Sequence, residues 1–308
     1  MTISPPQGPI RGVWTAALTP LEADGRVAHD LLAKHCRDLF ARGCAGITLF
    51  GTTGEGQSFS VAERRDTLER LLAAGISPAQ VTVGTGCAAL PDTADLTRHA
   101  AGLGVAGALV LPPFFWRDAT EDGVYAAYAK LIELLGGVKT RMFLYHIPQV
   151  TGVAVPPAVV GRLAAAYPGL VAGVKDSSGS WENTVALLKL GAGLSILVGH
   201  EPYLPRALKA GAVGTICGLG NYRPELIRSL HDSAGKPEEA RLVAVVNKLV
   251  DLVTGVPFVP AIKALMAAET GEARWLNVRA PLLPPVEAES RRLLAAARSF
   301  DAEAKAAA

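Results

Sequence analysis

This chain of 308 residues is short of charge, short of cysteine and free of any one-sided electrostatic bias. Charged residues make up 19% of it and apolar residues 50%, against ~25% charged in an average globular protein. That balance excludes a disordered chain and allows a large core. Lys and Arg number 30 against 28 Asp and Glu, a net charge of +2, and no long basic run occurs. Nothing here points to nucleic acid or to a membrane surface as partner. Cys36, Cys44, Cys87 and Cys217 are scattered, with no CxxC pair. This argues against a disulfide framework and fits a reducing, cytoplasmic compartment. Residues 1–6 lack a basic stretch followed by an apolar one, so no signal peptide is read. The charge-free stretches 71–91, 100–116 and 142–161 all contain Gly and Pro, which argues against a membrane-spanning helix. Spacings of His, Cys, Asp and Glu that would hold a metal are missing, as are Walker and Gly-x-Ser-x-Gly motifs.

What is present is a rhythm. Short apolar runs lie at 13–18, 46–50, 81–84, 107–111, 141–145, 171–174, 195–198 and 213–217, with amphipathic stretches between them. Runs apolar throughout, not alternating, belong to parallel strands buried on both faces. The intervening segments 29–42, 61–74, 125–135 and 158–166 read as helices. Eight such units fit an α/β fold of the closed (β/α)8 TIM-barrel type. An open doubly wound sheet would need a reversal of strand order, and no GxGxxG follows the first run. From about residue 224 the chain reads as wholly helical, broken at Pro257, Pro260, Pro281, Pro284 and Pro285. The expected division is a catalytic barrel over 1–237 and a C-terminal helical appendage over 238–308. The mean hydropathy of +0.28 points to some surface buried in an oligomer.

In such a barrel the reacting groups sit at the C-terminal ends of the strands. Small and polar residues gather there: Gly51-Thr52-Thr53-Gly54-Glu55-Gly56, Tyr145-His146-Ile147-Pro148, Lys175-Asp176-Ser177-Ser178-Gly179, Gly199-His200-Glu201-Pro202. Lys175 is the sharpest feature, because it ends an apolar run at the rim. Loss of hydration there favours the neutral amine, the form that attacks a ketone to make a Schiff base. The alternative is a structural lysine paired with Asp176 or Glu55. Tyr145 ends the neighbouring strand and offers a phenol for proton transfer, although taken alone a core tyrosine is the more ordinary reading. Backbone N–H groups and hydroxyls at Gly51, Thr52 and Thr53 suit a small carboxylate, or else mark only a turn entering a helix. His146 and His200 lie at the same rim and are candidates for substrate contact.

Three segments together resemble the dihydrodipicolinate synthase / N-acetylneuraminate lyase family of class I pyruvate-dependent aldolases. They are Phe50-Gly51-Thr52-Thr53-Gly54-Glu55, then Leu144-Tyr145-His146-Ile147-Pro148 with Thr151-Gly152, and Gly173-Val174-Lys175-Asp176-Ser177-Ser178-Gly179. Gly214-Thr215-Ile216 is a fainter fourth. The resemblance implies a TIM barrel, usually a homotetramer, that joins a lysine to pyruvate or another 2-oxo acid without metal or organic cofactor. It makes Lys175 the Schiff-base residue and Tyr145, with Thr52, the proton relay. Thr52 and Thr53 would hold the carboxylate, and the backbone at Ile216 would line the pocket. Ser177 and Glu201 match positions that contact sugar hydroxyls in the family's sugar-acid lyases. Three departures bear on substrate. Val150 stands where the synthases carry an Arg that grips the aldehyde substrate's carboxylate. Pro112-Pro113-Phe114-Phe115-Trp116 replaces a segment that donates a Tyr hydroxyl across a subunit contact, and His146 replaces an Asn. The expectation is therefore a Schiff-base-forming aldolase or dehydratase on a 2-oxo acid, with a 2-keto-3-deoxy sugar acid favoured. The alternatives are a 4-hydroxy-tetrahydrodipicolinate synthase and a non-catalytic 2-oxo acid sensor.

Overall fold

The computed structural model describes residues 10–191 and 193–306, with side chains to residue 300. Residues 1–6, read above for a leader, lie outside it. Strands β1 (Gly12–Ala16), β2 (Gly46–Leu49), β3 (Val81–Gly84), β4 (Gly107–Val110), β5 (Met142–His146), β6 (Val171–Asp176), β7 (Ser195–Val198) and β8 (Gly214–Cys217) are the eight expected runs. All pair in parallel and in sequence order, and β8 pairs with β1 to close the barrel. Helices α1 (His29–Ala41), α2 (Val61–Ala73), α3 (Leu90–Gly102), α4 (Glu121–Leu135), a single turn α5 (Pro148–Thr151), α6 (Pro157–Ala166), α7 (Trp181–Leu188), α8 (Leu204–Lys209) and α9 (Pro224–Asp232) connect and complete the units. The fold is a (β/α)8 TIM barrel, and α10 (Glu239–Val253), α11 (Phe258–Thr270) and α12 (Glu287–Ala306) follow it.

The strands explain themselves by side-chain parity. Successive residues point to opposite faces. Val13, Ile47, Leu49, Val83, Ala108, Val110, Leu144 and Val174 face outward and meet the helices. Trp14, Ala16, Leu109, Phe143, Tyr145, Leu197 and Ile216 fill the interior. Room for the Trp14 ring comes from Gly46, where a Cβ would overlap it. Gly107 clears the Phe143 ring in the same way. Large rings are thus matched by glycines on the adjacent strand, which keeps the interior packed and not hollow.

Helix starts follow from local chemistry. Ser60 and Glu63 form a reciprocal capping box on α2, and Thr120 and Ser180 cap α4 and α7. The C-terminal region is less uniformly helical than its composition implies. Pro257 precedes α11, but Pro260 lies within its first turn, where a missing N–H costs nothing. Residues 277–286 form an irregular strap instead of helix. Leu242, Val246, Leu249 and Val253 repeat at helical spacing along α10 and are buried, each contributing about 1.5–3 kcal/mol. They join one apolar cluster with Leu18, Leu32 and Ile227 of the barrel. Among the described residues no single helix is long and apolar enough to cross a membrane.

The seam between β8 and β1 is pinned by Asn221, fully buried in the turn after β8. Its Oδ1 accepts from the Leu18 N–H and lies 2.9 Å from His35 Nε2, and its Nδ2 donates to Ala16 O and Gly218 O at 2.8 Å. Substituting Asn221→Ala leaves those buried groups without partners, and unfolding in urea should show a loss of about 2–4 kcal/mol. An unchanged midpoint would mean that the seam closes without this side chain.

Candidate active site

Parity also builds the site. In the β5–β6 register Tyr145 lies opposite Lys175, and both point inward. Lys175 is 4% exposed and Tyr145 3%. Lys175 Nζ donates to the Tyr145 hydroxyl at 3.0 Å and lies 4.3 Å from the centre of its ring. Thr52 Oγ1 approaches the same hydroxyl at 3.5 Å. Both carboxylates that might have claimed Lys175 are engaged elsewhere. Asp176 points outward and accepts from Ser178 N, Ser178 Oγ and Thr184 Oγ1 at 2.7–3.0 Å. Glu55 forms a fully buried ion pair with Lys263 of α11 and accepts from the Arg279 N–H at 2.9 Å.

Two cavities meet at Thr52, Tyr145 and Val150. The polar one, about 370 Å³, is bordered by Thr53, Lys175, Ser177, His200, Glu201 and Ile216 among others. The apolar one, about 400 Å³, is walled by Phe50, Leu109, Leu111 and Phe114, and Gly51 opens on this side. Thr52, Thr53, Tyr145, Lys175, Ser177, Glu201 and Ile216 therefore come together, with Gly51 next to them. His146 does not. Two strand positions after Leu144, it faces away from the interior, and its Nδ1 accepts the Val155 N–H at 3.0 Å. Burial holds its imidazole below the ordinary range, against the pull of the Asp176 carboxylate. The expected substrate contact by His146 is corrected by that parity, whereas His200 does border the polar cavity. Gly199 is needed beside Ser177, because a Cβ there would overlap Ser177 Oγ.

Charge balance tunes the phenol. Burial pushes Tyr145 upward, but the Lys175 charge and hydrogen bonds from Thr52, Lys175 and Ser177 outweigh it, so the net shift is downward. Glu201 goes the other way. Burial raises it, opposed by backbone donors, the Leu219 N–H among them at 3.1 Å, and by Lys175. The turn 51–55 is strained at both ends. Phe50 and Glu55 hold φ of +55° and +56°, a conformation that costs a non-glycine residue about 1–3 kcal/mol.

The C-terminal region reaches this site, which the reading of it as an appendage missed. Val250, Val253, Thr254 and Phe258 line the polar cavity, and Val259, Pro281 and Leu282 the apolar one. Lys263 and Arg279 bind the turn's Glu55. One signal was available: Lys263 is a lone charge within Ala261-Ile262-Lys263-Ala264-Leu265, the same anomaly that exposed Lys175. Gln149, which donates to Ser177 O at 2.6 Å, carried no such signal.

A family model described as the dihydrodipicolinate synthetase family matches residues 9–299. The chain belongs to the dihydrodipicolinate synthetase family. With it the chain is a lyase of the class I aldolase type. An uncharacterized DapA-like lyase of Chloroflexus aurantiacus is 39% identical over 288 residues, 93% of this chain and 95% of that protein. A 4-hydroxy-tetrahydrodipicolinate synthase of Methanothrix thermoacetophila is 32% identical over 216 residues, 70% of each chain. Among solved structures, a dihydrodipicolinate synthase from Agrobacterium tumefaciens superposes with a TM-score of 0.88 at 35% identity, covering 94% of this chain and 99% of its own. An N-acetylneuraminate lyase from Proteus mirabilis shares the fold, with a TM-score of 0.82 at 24% identity over 95% and 99% of the two chains.

The electrostatics of this family member are open to direct titration. In Lys175→Met the charge that lowers Tyr145 is gone and burial acts unopposed by it, so the phenol should ionise at higher pH than in the wild-type protein. Ultraviolet difference titration with Tyr145→Phe as blank measures this. A phenol that titrates at the same pH in both proteins would show that Lys175 does not tune it.

Proposed function

We propose that this protein is a Schiff-base lyase acting on a 2-oxo acid, with Lys175 as the nucleophile. The observation that carries the reading is a buried lysine 3.0 Å from a buried phenol, with both neighbouring carboxylates bonded elsewhere. The amine donates to that phenol and borders a cavity of substrate size.

The neutral amine of Lys175 attacks the C2 carbonyl of the oxo acid. Tyr145, with the Thr52 hydroxyl beside it, moves the proton needed to turn the carbinolamine hydroxyl into departing water. Backbone and hydroxyls at Thr52 and Thr53 receive the substrate carboxylate, and Ile216 walls the pocket. The resulting protonated imine draws electrons toward nitrogen, so the protein supplies its own electron sink and the chemistry calls for no cofactor. Loss of the C4 hydroxyl proton then breaks the C3–C4 bond and releases an aldehyde. Alternatively, loss of a C3 proton expels the β-hydroxyl as water. After cleavage the enamine is protonated at C3, whereas elimination leaves a conjugated imine directly; hydrolysis of the imine in either case returns free Lys175.

The favoured substrate is a 2-keto-3-deoxy sugar acid. Ser177, Ser178, His200 and Glu201 form a polar wall beside Lys175, suited to substrate hydroxyls. Aspartate semialdehyde is a weaker fit, because Val150, at the junction of the cavities, is aliphatic and cannot grip a carboxylate. The second reading, a 4-hydroxy-tetrahydrodipicolinate synthase, is favoured by the names of relatives near 30% identity. A homotetramer is in keeping with the family. Phe115 and Trp116, 72% and 69% exposed, offer apolar surface for such contacts. Four free thiols support a reducing, cytoplasmic setting.

Incubation with pyruvate and borohydride should leave a reduced adduct on Lys175, located by mass after digestion. An adduct on another lysine, or none, removes the mechanism. A panel of 2-oxo acids read for pyruvate release and for water loss should then favour 2-keto-3-deoxy acids over condensation of pyruvate with aspartate semialdehyde. Efficient condensation would reverse that order.

A further inference from the structure

We propose that Lys263 is a positioning residue: through Glu55 it holds the turn that presents Thr52 to Tyr145 and Lys175. This rests on the aldolase reading above and assigns a role to a side chain that touches neither cavity.

The turn leaves β2 with Phe50 in the left-handed region and ends with Glu55 in it as well. Neither residue is glycine, so the backbone needs outside support to stay there. Inside the turn, Gly54 and Gly56 N–H groups donate to Gly51 O at 3.0 and 3.2 Å, and Glu55 N–H donates to Thr52 O at 3.1 Å. Glu55 is therefore bonded by its backbone to the residue whose hydroxyl approaches Tyr145. Its side chain ends on the Lys263 ammonium, with both side chains shut off from solvent. The second carboxylate oxygen accepts the Arg279 N–H at 2.9 Å, and Lys263 also donates to Asn277 O at 2.8 Å. Asn277 in turn donates to Leu21 O at 2.8 Å. A charge and one backbone N–H of the strap 277–286 thus converge on Glu55, while a second strap group, Asn277 O, holds the lysine.

A buried ion pair is a poor device for stability alone, since apolar residues of the same volume commonly serve as well. What it supplies is direction. A carboxylate held by a donor on each oxygen favours one orientation of Glu55, and a residue held at positive φ transmits that orientation to the peptide at Thr52. Burial lowers the Lys263 amine, and the Glu55 charge pulls it back.

The test uses the full-length protein, pyruvate and cyanoborohydride, with the rate of adduct formation on Lys175 read by mass. Wild-type protein, Lys263→Met, Thr52→Val and the double variant are compared after circular dichroism confirms folding. Lys263→Met should slow trapping about ten-fold or more, the scale expected when a reacting group is misplaced by a fraction of an ångström to an ångström. The double variant should be no slower than Thr52→Val alone, because a residue acting through Thr52 has nothing left to act on. A merely structural lysine would lower the thermal midpoint and leave the trapping rate intact, or its loss would multiply with that of Thr52→Val. Either result overturns the proposal. If Lys263→Met does not fold, Glu55→Gln, which keeps size and an acceptor oxygen, takes its place. It should show a smaller loss with the same dependence on Thr52, and wild-type trapping in it overturns the proposal. Absence of any adduct in the wild-type protein is a separate outcome that removes the aldolase reading and this inference together.

Discussion

A closed barrel of parallel strands admits only every second side chain to its interior, and that rule decides which residues of this protein can react. Tyr145 and Lys175 share an inward parity and a register, so the phenol and the amine meet without any loop having to bring them together. Asp176 and His146, each one position away, are turned out among the helices by the same rule and spend their polar atoms on backbone and hydroxyl partners. A slip of one residue in either strand would exchange the two sets. Packing below the site makes such a slip costly, because Trp14 and Phe143 fit only against Gly46 and Gly107.

The two buried lysines show how environment divides one side-chain type between two roles. Lys263 has a carboxylate and a carbonyl within bonding reach and is spoken for. Lys175 has a phenol, an aromatic face and open cavity. Burying an ammonium without a counter-charge is expensive, and that contrast is why the proposed chemistry is assigned to Lys175 and not to Lys263. Glu201 adds to the contrast. Burial pushes its carboxyl upward, while the Lys175 charge pulls it back down.

The C-terminal helices complete the barrel rather than decorate it. Their apolar faces merge with the cluster around α1 and α9, and their side chains wall both cavities. Arg279 spans the strap and the barrel. Its guanidinium donates to Gly25 O, Ser58 O and Glu63 and rests 4.0 Å from the centre of the Phe59 ring. The rim near β2 is thereby fastened from outside as well as from below.

Strand number, strand order and the inward lysine could all be read from the chain itself, because each depends on local pattern: runs of apolar residues, glycines at rims, one cation ending a run. Tyr145 and Lys175 end strands that neighbour in sequence and therefore in this barrel, whereas Thr52, after the more distant β2, was grouped with them by the family resemblance alone. What the chain could not disclose were contacts between distant segments. Lys263 finding Glu55, Asn221 reaching His35, and Val253 and Phe258 lining the site all join positions far apart along the chain. The exclusion of His146 from the cavity was decided only when the strand's inward face was settled by packing. Local periodicity fixes what an element is, but long-range hydrogen bonds and ion pairs depend on distances that exist only after the barrel has closed.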